Sequence, residues 1–321
     1  PYHDSFITGM VKDKYGRWMS KSLGNGIDPI EMIDQYGADA VRYSLIVLCA
    51  QGQDIKLDPT KFEMGRNFAN KIWNAFRFLA LNMEEGKTYD APVKTEDFSV
   101  VDKWMMTRIQ QTIEAVNDDL SRYRLNEALM KIYSLVWDDF CDWYIELIKA
   151  DEPGKPIPED RLNRGIYFLE ILMKLLHPFM PYITEEIWQK LHDRSPEEAL
   201  IVSDWPEFDK EAVFEKDADD FQHIQQIISA VRNIRSEMNL SPKAELDLYI
   251  QARNQKTGNA LEKHEWVIRK LQPLSSLTVG IDLKRPKASA SAVVDGSEIF
   301  VPLEGLIDFD KDVERIQKEI D

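Results

Sequence analysis

One short segment near the start of the sequence combines a lysine, hydroxyl groups and glycines at a spacing suited to binding phosphate. In GRWMSKSLGN, residues 16–25, Lys21 lies between Ser20 and Ser22 and precedes Gly24. A lysine ammonium is a point charge that can follow phosphate oxygens, and flexible backbone N–H groups bond the same anion. The spacing G-x-x-x-x-G-K-[ST] is absent, which excludes a P-loop. The segment predicts a mobile loop for a polyphosphate, with a solvated basic loop as the alternative.

Two capped helices are predicted directly after this loop, where they would hold its C-terminal end. Asp28 stands at an N-cap position with Pro29 at the first helical position, which predicts a helix start. Gly37 predicts the end of that helix, and Asp39 is expected to cap the next one. Upstream of the loop, SFITGM at residues 5–10 predicts a short buried strand followed by a polar turn.

Helix-period patterns dominate residues 60–215. In KFEMGRNFANKIWNAFRFLALNM, which begins at Lys61, the apolar residues recur at spacings of three and four. The same periodicity predicts further helices at about residues 100–118, 124–149, 159–177 and 182–192. Four or five long helices separated by short breaks predict a helical bundle.

The pattern changes after residue 216 to that of a small α/β unit. A helix is predicted at 217–238, and AELDLYIQ then alternates apolar and polar residues as a half-buried strand does. A short helix at 256–271 precedes three more strand-like segments. Apolar residues in 308–321 have coiled-coil spacing. The fold class predicted from these patterns is mainly α and multi-domain, with a small α/β domain.

Composition excludes several other classes of protein. Of the 321 residues, 44% are hydrophobic and 30% charged, as in soluble globular domains, and no apolar run is long enough to span a membrane. Cys49 and Cys141 have no partner at metal-ligand spacing, so no metal site is predicted and a reducing cytoplasm is expected. The net charge of −16 argues against indiscriminate nucleic-acid binding but permits a local basic face.

A series of collinear segments resembles one family of enzymes. MSKSLGN, followed by IDP and QYGADAVRY, is similar to the second signature of class I aminoacyl-tRNA synthetases. Six further segments extend the resemblance over nearly the whole chain to the valyl-tRNA synthetases: GQDIKLD, NFANKIWNAFRF, WDDFCDWYIELIK, LHPFMPYITEEIW, VRNIRSEMNLSP and VPLEGLIDFDKDVERIQKE. The resemblance implies a class I anticodon-binding helical bundle together with the small α/β domain.

The resemblance also implies the chemistry of the loop. In that family the loop closes over ATP, with Mg²⁺, while the carboxylate of valine attacks the α-phosphate and pyrophosphate leaves. By this resemblance Lys21 is the catalytic lysine that stabilises the departing charge, and Trp18, Met19, Ser20 and Ser22 complete the ATP-binding loop. The family pattern begins with a lysine where this chain has Trp18, so the role of position 18 stays open.

The domains are assigned by the same resemblance. Residues 1–59 correspond to the end of the catalytic domain with stem-contact helices, 60–215 to the anticodon-binding bundle, 216–307 to the small α/β domain and 308–321 to the start of a coiled coil. The histidine-rich first signature, H-x-G-H, and the editing domain are absent. The chain is therefore expected to be a C-terminal fragment, inactive alone, of a cytoplasmic and monomeric ligase whose partners are ATP, valine and tRNA-Val.

The bundle offers polar side chains to an RNA. Helical bundles read an RNA loop by stacking splayed bases on aromatic or arginine planes and by bonding base edges. The predicted tRNA contacts lie along one helix beside its apolar stripe: Arg66, Asn67, Asn70, Lys71, Asn74 and Arg77. An ordinary solvated helix face is the alternative for this set. Four aromatic residues are expected in the core rather than as stacking platforms: Trp73, Phe76, Trp137 and Trp143.

Other interpretations stay open. An isoleucine- or leucine-specific synthetase shares the class signature, although NFANKIWNAFRF and the coiled-coil onset argue against it. A stand-alone RNA-binding module would have no use for the ATP chemistry of Lys21. The carboxylates of WDDFCDWYIE suggest an acid–base pair, but Asp138, Asp139 and Asp142 are expected to line a solvent face or to bond neighbouring arginines.

Overall fold

Contacts divide the chain into two compact units, residues 1–214 and 215–321. The computed structural model describes residues 3–5, 9–49 and 52–306. Helices dominate the first unit, whereas the second combines helices with a four-stranded sheet. The prediction of a mainly α chain with a small α/β domain is therefore confirmed.

Two predicted elements fall partly or wholly outside the described residues. These are the coiled coil at 308–321 and residues 6–8 of the strand expected at 5–10. The first described strand is instead β1 (Val11–Asp13), which pairs in parallel with β2 (Ile55–Leu57). Strand β2 was not predicted, because three residues are too few to establish a period of two.

Two helices lie between these strands and form a small core with them. They are α1 (Pro29–Tyr36) and α2 (Ala38–Leu48). The buried members of this core are Met32, Val41, Ile55, Leu57 and Phe62. Met19 and Ile27 pack against the same core. The chain on either side of Lys21 is therefore anchored at two points.

The bundle of the first unit contains six further α-helices. Their bounds are α3 (Phe62–Ala80), α4 (Val100–Ser121), α5 (Leu125–Ser134), α6 (Ile145–Ile148), α7 (Glu159–Leu176) and α8 (Pro181–Leu191). A π-helical segment, Leu135–Tyr144, joins α5 to α6, so the helix predicted at 124–149 is continuous but widened in its middle. The wider winding was not predicted.

Helix ends follow the prediction where the capping partner is local. The Asp28 side chain accepts a hydrogen bond from the amide of Ile30 and caps α1, with Pro29 at the first helical position. Helix α7 ends at Leu176 with His177 as its C-cap, in agreement with the end predicted at residue 177. Such caps can be recognised in a sequence because the donor and the acceptor lie within a few residues of each other.

The prediction that Asp39 caps α2 is wrong. Asp39 lies buried in the first turn of that helix, and its carboxylate accepts from the amides of Tyr182 at 3.2 Å and Ile183 at 2.7 Å. It therefore caps α8, whose first N–H groups have no partner within the helix. Arg42 donates to two carbonyl oxygens just before α8. Both side chains tie α2 to the start of a helix distant in sequence.

A buried ionic network fixes three other helical segments of the bundle. Ser99 and Asp102 form a capping box at the start of α4. Asp102 is 2% exposed, accepts a hydrogen bond from the Tyr144 hydroxyl at 2.7 Å and lies 3.2 Å from Nε of Arg164. A buried carboxylate is costly unless it is paired. The network thus holds α4, the π-helical segment and α7 in one register.

The second unit packs α9 (Glu215–Glu237) against a sheet in the order β4-β3-β6-β5. The strands are β3 (Leu246–Gln251), β4 (Leu274–Gly280), β5 (Ser289–Val294) and β6 (Ser297–Pro302). Within this four-stranded sheet, β3 and β4 pair in parallel, as the intervening helices require, and the other two pairs are antiparallel. The apolar face predicted for α9 is buried, at Phe221, Ile224, Ile228, Val231 and Ile234.

The single helix expected at 256–271 is two helices. They are α10 (Gln255–Lys263) and α11 (Glu265–Leu271). His264 separates them with φ −114° and ψ 21°, outside the helical region. The apolar periodicity continues across this break, and for that reason the sequence did not reveal it.

Candidate functional site

The lysine loop, residues 16–25, begins from a hairpin built on β1. After Asp13 the chain reverses, and the Asp13 amide donates to the carbonyl of Arg17 at 2.9 Å. The Gly16 amide donates to the carbonyl of Asp13 at 2.8 Å. Gly16 has φ +79°, a left-handed conformation that glycine adopts without steric strain. The polar turn predicted here is confirmed.

The Asp13 carboxylate organises the base of the lysine loop. It is 7% exposed and accepts hydrogen bonds from the amides of Tyr15 and Arg17, from Nε of Arg17 and from Nδ2 of Asn25, at 2.8–3.0 Å. Burial by itself would raise the pKa of Asp13, but the hydrogen bonds from Asn25 and Arg17 and the charge of Arg17 lower it to about 2. Asp13 is consequently ionised at neutral pH and accepts from four donors.

The Asn25 side chain joins three points of the loop. Its carboxamide oxygen accepts from the Ser20 amide at 3.0 Å. Its nitrogen donates to Oδ2 of Asp13 at 3.0 Å and to the carbonyl of Trp18 at 3.1 Å. We refer to Asn25 with these three partners as the clasp. The clasp connects the C-terminal end of the loop to its N-terminal side.

Lys21 lies on a single 3₁₀ turn at the tip of the loop. The turn, Lys21–Leu23, is capped by Ser20, whose hydroxyl accepts from its last amide and lies 3.2 Å from the Ser22 hydroxyl. Gly24 ends the turn in the left-handed conformation, with φ +60°. Lys21 is exposed, and no residue in the described part of the chain pairs with its ammonium group. The tip therefore presents a free cation beside two hydroxyls.

Trp18 contacts a cation in this conformation. Its indole is 53% exposed, and the ammonium of Lys12 lies 4.2 Å from the ring centroid and 2.6 Å from the Asp54 carboxylate. An antiparallel bridge between Lys12 and Trp18 fixes this contact. The next residue, Met19, is half-buried against the small core. Position 18 thus carries no charge of its own, but the charge of Lys12 lies against it.

Four of the predicted RNA contacts form an exposed row on α3. They are Asn67, Asn70, Asn74 and Arg77, and their spacing of three and four residues aligns them on one side of the helix. Among the residues that the structure describes, none provides a hydrogen-bond or ion-pair partner for these four side chains. This row is called the α3 row below. Amides and a guanidinium can bond the edges of nucleobases.

The other two predicted contacts are engaged within the protein. Arg66 is exposed but lies 3.6 Å from the carboxylate of Glu63. Lys71 lies 2.6 Å from the Asp142 carboxylate and 3.9 Å from the ring centroid of Trp137. The structure therefore separates Lys71 from the α3 row, because its charge is already balanced.

The aromatic residues considered as stacking platforms are divided between core and edge. Phe76 is 4% exposed, so its predicted place in the core is confirmed. Trp73, Trp137 and Trp143 are half-buried. Trp137 stacks on Tyr133 with ring centroids 5.4 Å apart. These tryptophans lie where the core meets the surface instead of deep within it.

The carboxylates of the π-helical segment have neighbouring partners. Asp139 accepts from Nε of Arg108 at 2.9 Å, as predicted, and burial raises its pKa while Arg108 opposes that shift. Asp138 accepts from the Ser134 hydroxyl, and Asp142 pairs with a lysine. These hydrogen bonds and this ion pair account for all three carboxylates.

Asp13, Asn25 and Lys12 were missed as members of the loop site. The order Asp-x-x-Gly at residues 13–16 is typical of a tight turn, and it offered a signal for Asp13. Nothing local marks Asn25 or Lys12. Their contacts to Asp13 and Trp18 depend on how the loop folds back on β1.

The described residues contain neither a metal-binding cluster nor a membrane-spanning helix. Across residues 3–5, 9–49 and 52–306, no group of three or more His, Cys, Asp or Glu side chains is arranged to hold a metal ion. In the same residues, every helix is too short or too polar to cross a bilayer.

Two stretches of the chain match known families. Residues 1–58 match the family described as tRNA synthetases class I (I, L, M and V), and residues 102–250 match the anticodon-binding domain of tRNA ligase. The first stretch contains the lysine loop. The second contains most of the bundle and crosses into the second unit. Helix α3 lies between the two matches.

Curated relatives match the chain along its whole length. Valine–tRNA ligase of Bacillus subtilis (strain 168) is 42% identical over 323 residues, which is 100% of this chain and 36% of the relative. Valine–tRNA ligase of Thermotoga maritima is also 42% identical, over 330 residues, with the same coverage. The chain therefore spans about a third of the length of the curated relatives it matches.

A solved structure shares part of the fold. The crystal structure of the ternary complex of Agrobacterium radiobacter K84 agnB2 LeuRS-tRNA-LeuAMS is 26% identical, with a TM-score of 0.51. The similarity covers 64% of this chain and 24% of that chain.

Proposed function

Because the chain belongs to the class I aminoacyl-tRNA synthetases and is similar to valine–tRNA ligases over its whole length, we propose that it supplies the ATP-contacting loop and the tRNA-binding bundle of a valine–tRNA ligase. The observation that carries this proposal is the free ammonium of Lys21 at the tip of a loop closed by the clasp. Such a group is suited to an anion that appears only during a reaction.

The reaction is the activation of valine. A carboxylate oxygen of valine attacks the α-phosphorus of ATP, and the bond from that phosphorus to the bridging oxygen of the β-phosphate breaks. Valyl-adenylate forms, and pyrophosphate leaves with the electron pair of the broken bond. Lys21 stabilises the negative charge that develops on the departing group. A preorganised contact of this kind contributes about 10²–10³ in rate.

The residues of the loop suit a polyphosphate. The loop offers an ammonium, the hydroxyls of Ser20 and Ser22 and a flexible backbone, while the carboxylate of Asp13 is occupied by four donors. Mg²⁺ bound to ATP would neutralise part of the charge on the phosphate groups. ATP and valine themselves would be held by a nucleotide-binding fold that corresponds to the relatives' remaining length.

The bundle is proposed to bind tRNA-Val through the α3 row. The three asparagines can each donate to and accept from a base edge, and Arg77 can bond a base or a phosphate. Trp73, half-buried on the same helix, adds an aromatic surface on which a splayed base can stack. Lys71 is not part of this contact set, because its pair with Asp142 would have to break first.

The experiment is amino-acid-dependent ATP–pyrophosphate exchange by the full-length enzyme that contains this chain. The wild-type enzyme should exchange with valine and far less with isoleucine or leucine. Lys21→Ala should lower valine-dependent exchange by about 10²–10³. The control is Lys256→Ala on α10, an exposed lysine of the second unit, which should exchange like the wild type.

Two results would overturn the proposal. Exchange that depends on isoleucine or leucine would assign the chain to another synthetase of the class. Full exchange by Lys21→Ala would leave the chain as an RNA-binding module whose loop has no part in ATP chemistry.

A further inference from the structure

Between its two anchored ends, the lysine loop is held by hydrogen bonds and not by packing. Met19 and Ile27 reach the small core, but no side chain from Ser20 to Gly26 is buried. Gly24 and Gly26 add backbone freedom that folding must restrict. The described contacts that cross this stretch include the bonds of the Asn25 carboxamide to Asp13, Trp18 and Ser20. Without them, the position of the tip would be poorly defined.

We propose that Asn25 is a positioning residue for Lys21: its carboxamide, bonded to Asp13, keeps the turn Lys21–Leu23 in shape as the loop closes over ATP, so that the ammonium meets the departing pyrophosphate. This inference rests on the function proposed above. It assigns a role in valine activation to a side chain that itself touches no phosphate.

The chemistry of the three partners explains why the residue is an asparagine. The Ser20 amide is a donor, whereas the Trp18 carbonyl and the Asp13 carboxylate are acceptors. One side chain must therefore accept once and donate twice, which a primary carboxamide does. An aspartate at position 25 would accept but not donate, and it would place a second carboxylate beside Asp13. A glutamine would shift all three bonds by one methylene group.

The expected cost of losing the clasp follows from the geometry of catalysis. A misplacement of a catalytic group by about 1 Å can lower a rate by about 10²-fold. The five residues from Ser20 to Gly24 have no buried side chain to hold them once the bonds of Asn25 are lost, so a displacement of this size is expected. Asn25→Ala should thus slow activation substantially although Lys21 is still present.

The test is a double-mutant cycle on the full-length ligase, with valine-dependent ATP–pyrophosphate exchange as the readout. Asn25→Ala should lower kcat by about 10- to 100-fold and leave the KM for valine within about twofold. In the Lys21→Ala background the same substitution should cost less than about threefold, because the group it positions is gone. A folding defect would instead lower exchange by the same factor in both backgrounds, and that result would overturn the inference.

A second variant separates hydrogen bonding from shape. Asn25→Asp keeps the size of the side chain but removes both donors, so exchange should fall at least as far as in Asn25→Ala. Near-wild-type exchange by Asn25→Asp would contradict the proposed role. Asn259→Ala, an exposed asparagine on α10, is the matched control and should exchange normally.

The outcomes distinguish the two proposals. If Lys21→Ala exchanges normally, the proposed function fails, and this inference fails with it. If Lys21→Ala is impaired and Asn25→Ala is not, the proposed function stands and only the role of Asn25 is refuted.

Discussion

Helices α2 and α3 cross so closely that a single methyl group should disturb the first unit. A Cβ on Gly65 of α3 would lie 2.5 Å from the carbonyl oxygen of Ala40 and 2.7 Å from its Cα. Both neighbours are backbone atoms of α2, so no side chain can rotate out of the way. In Gly65→Ala, α2 would have to move by about 1 Å, and α2 carries the two side chains that hold α8.

The magnitude is a balance of two opposing effects. Overpacking costs about 1–3 kcal/mol, whereas replacing glycine by alanine within a helix gains about 1 kcal/mol. Because the added Cβ would meet backbone atoms at 2.5 and 2.7 Å, the overpacking cost should lie in the upper part of that range, at about 2–3 kcal/mol. We therefore expect Gly65→Ala to lower the free energy of unfolding of the first unit by about 1–2 kcal/mol. For a domain of about 200 residues this corresponds to a fall in Tm of about 2–8 °C.

A matched substitution in the second unit should have the opposite sign. A Cβ on Gly258 of α10 would meet Ala252 Cβ at 3.7 Å and Ile281 Cγ2 at 3.8 Å, which are ordinary contacts. Gly258→Ala should therefore stabilise the second unit by up to about 1 kcal/mol. Thermal unfolding followed by tryptophan fluorescence reports mainly on the first unit, because only Trp266 of the eight tryptophans lies beyond residue 214. Circular dichroism follows both units.

A Tm for Gly65→Ala equal to or above that of the wild type would refute the reasoning. It would mean that the two helices do not approach as closely as the structure has them. The Gly258→Ala variant guards against a general effect of adding a methyl group to a helix.

Three further outcomes are expected. The pKa of Asp13 is lowered from 3.8 to about 2, so its hydrogen bonds stabilise the loop fully above pH 3.8 and are lost as the pH falls through 2. The amide resonance of Arg17, which donates to Asp13, should therefore titrate near pH 2 in an NMR experiment, and a midpoint near 3.8 would contradict the clasp. Asp39→Ala removes the cap of α8 and should lower the free energy of unfolding, measured by chemical denaturation, by about 0.5–2 kcal/mol. An unchanged free energy of unfolding would mean that this cap does not stabilise the first unit. Arg77→Ala should weaken tRNA-Val binding by this chain and lower the slope of log K against log salt concentration by about one, whereas Lys263→Ala should change neither. Equal effects of the two substitutions would mean that the α3 row does not contact RNA.

The local features of the fold could be predicted from the sequence. The cap at Asp28 and the buried face of α9 depend on residues within one or two turns of each other. Such local patterns can be recognised directly in the amino-acid sequence. The lysine loop was identified for the same reason, since Lys21 and its flanking serines are adjacent. Its closure was not predicted, because the Asn25 bond to Asp13 spans 12 residues and depends on the hairpin that brings the two residues together.

Features that depend on distant packing could not be predicted. Asp39 has the residue type and position of a local cap, but its partners lie more than 140 residues away, on α8. Lys71 belongs to the polar face of α3 by spacing, yet Asp142 and Trp137 approach it from another helix. A helical period assigns a residue to a face, and only the tertiary structure decides whether that face is still free.

The proposed role of Lys21 is tested most directly by single-turnover formation of valyl-adenylate, with ATP affinity and chemical rate measured separately. A contact made with the departing pyrophosphate is stronger in the transition state than in the ground state, so its loss lowers the rate more than the affinity. For Lys21→Ala the account predicts a rate lower by about 10²–10³ with ATP affinity nearly unchanged. An unchanged rate, or a loss explained wholly by weaker ATP binding, would contradict it.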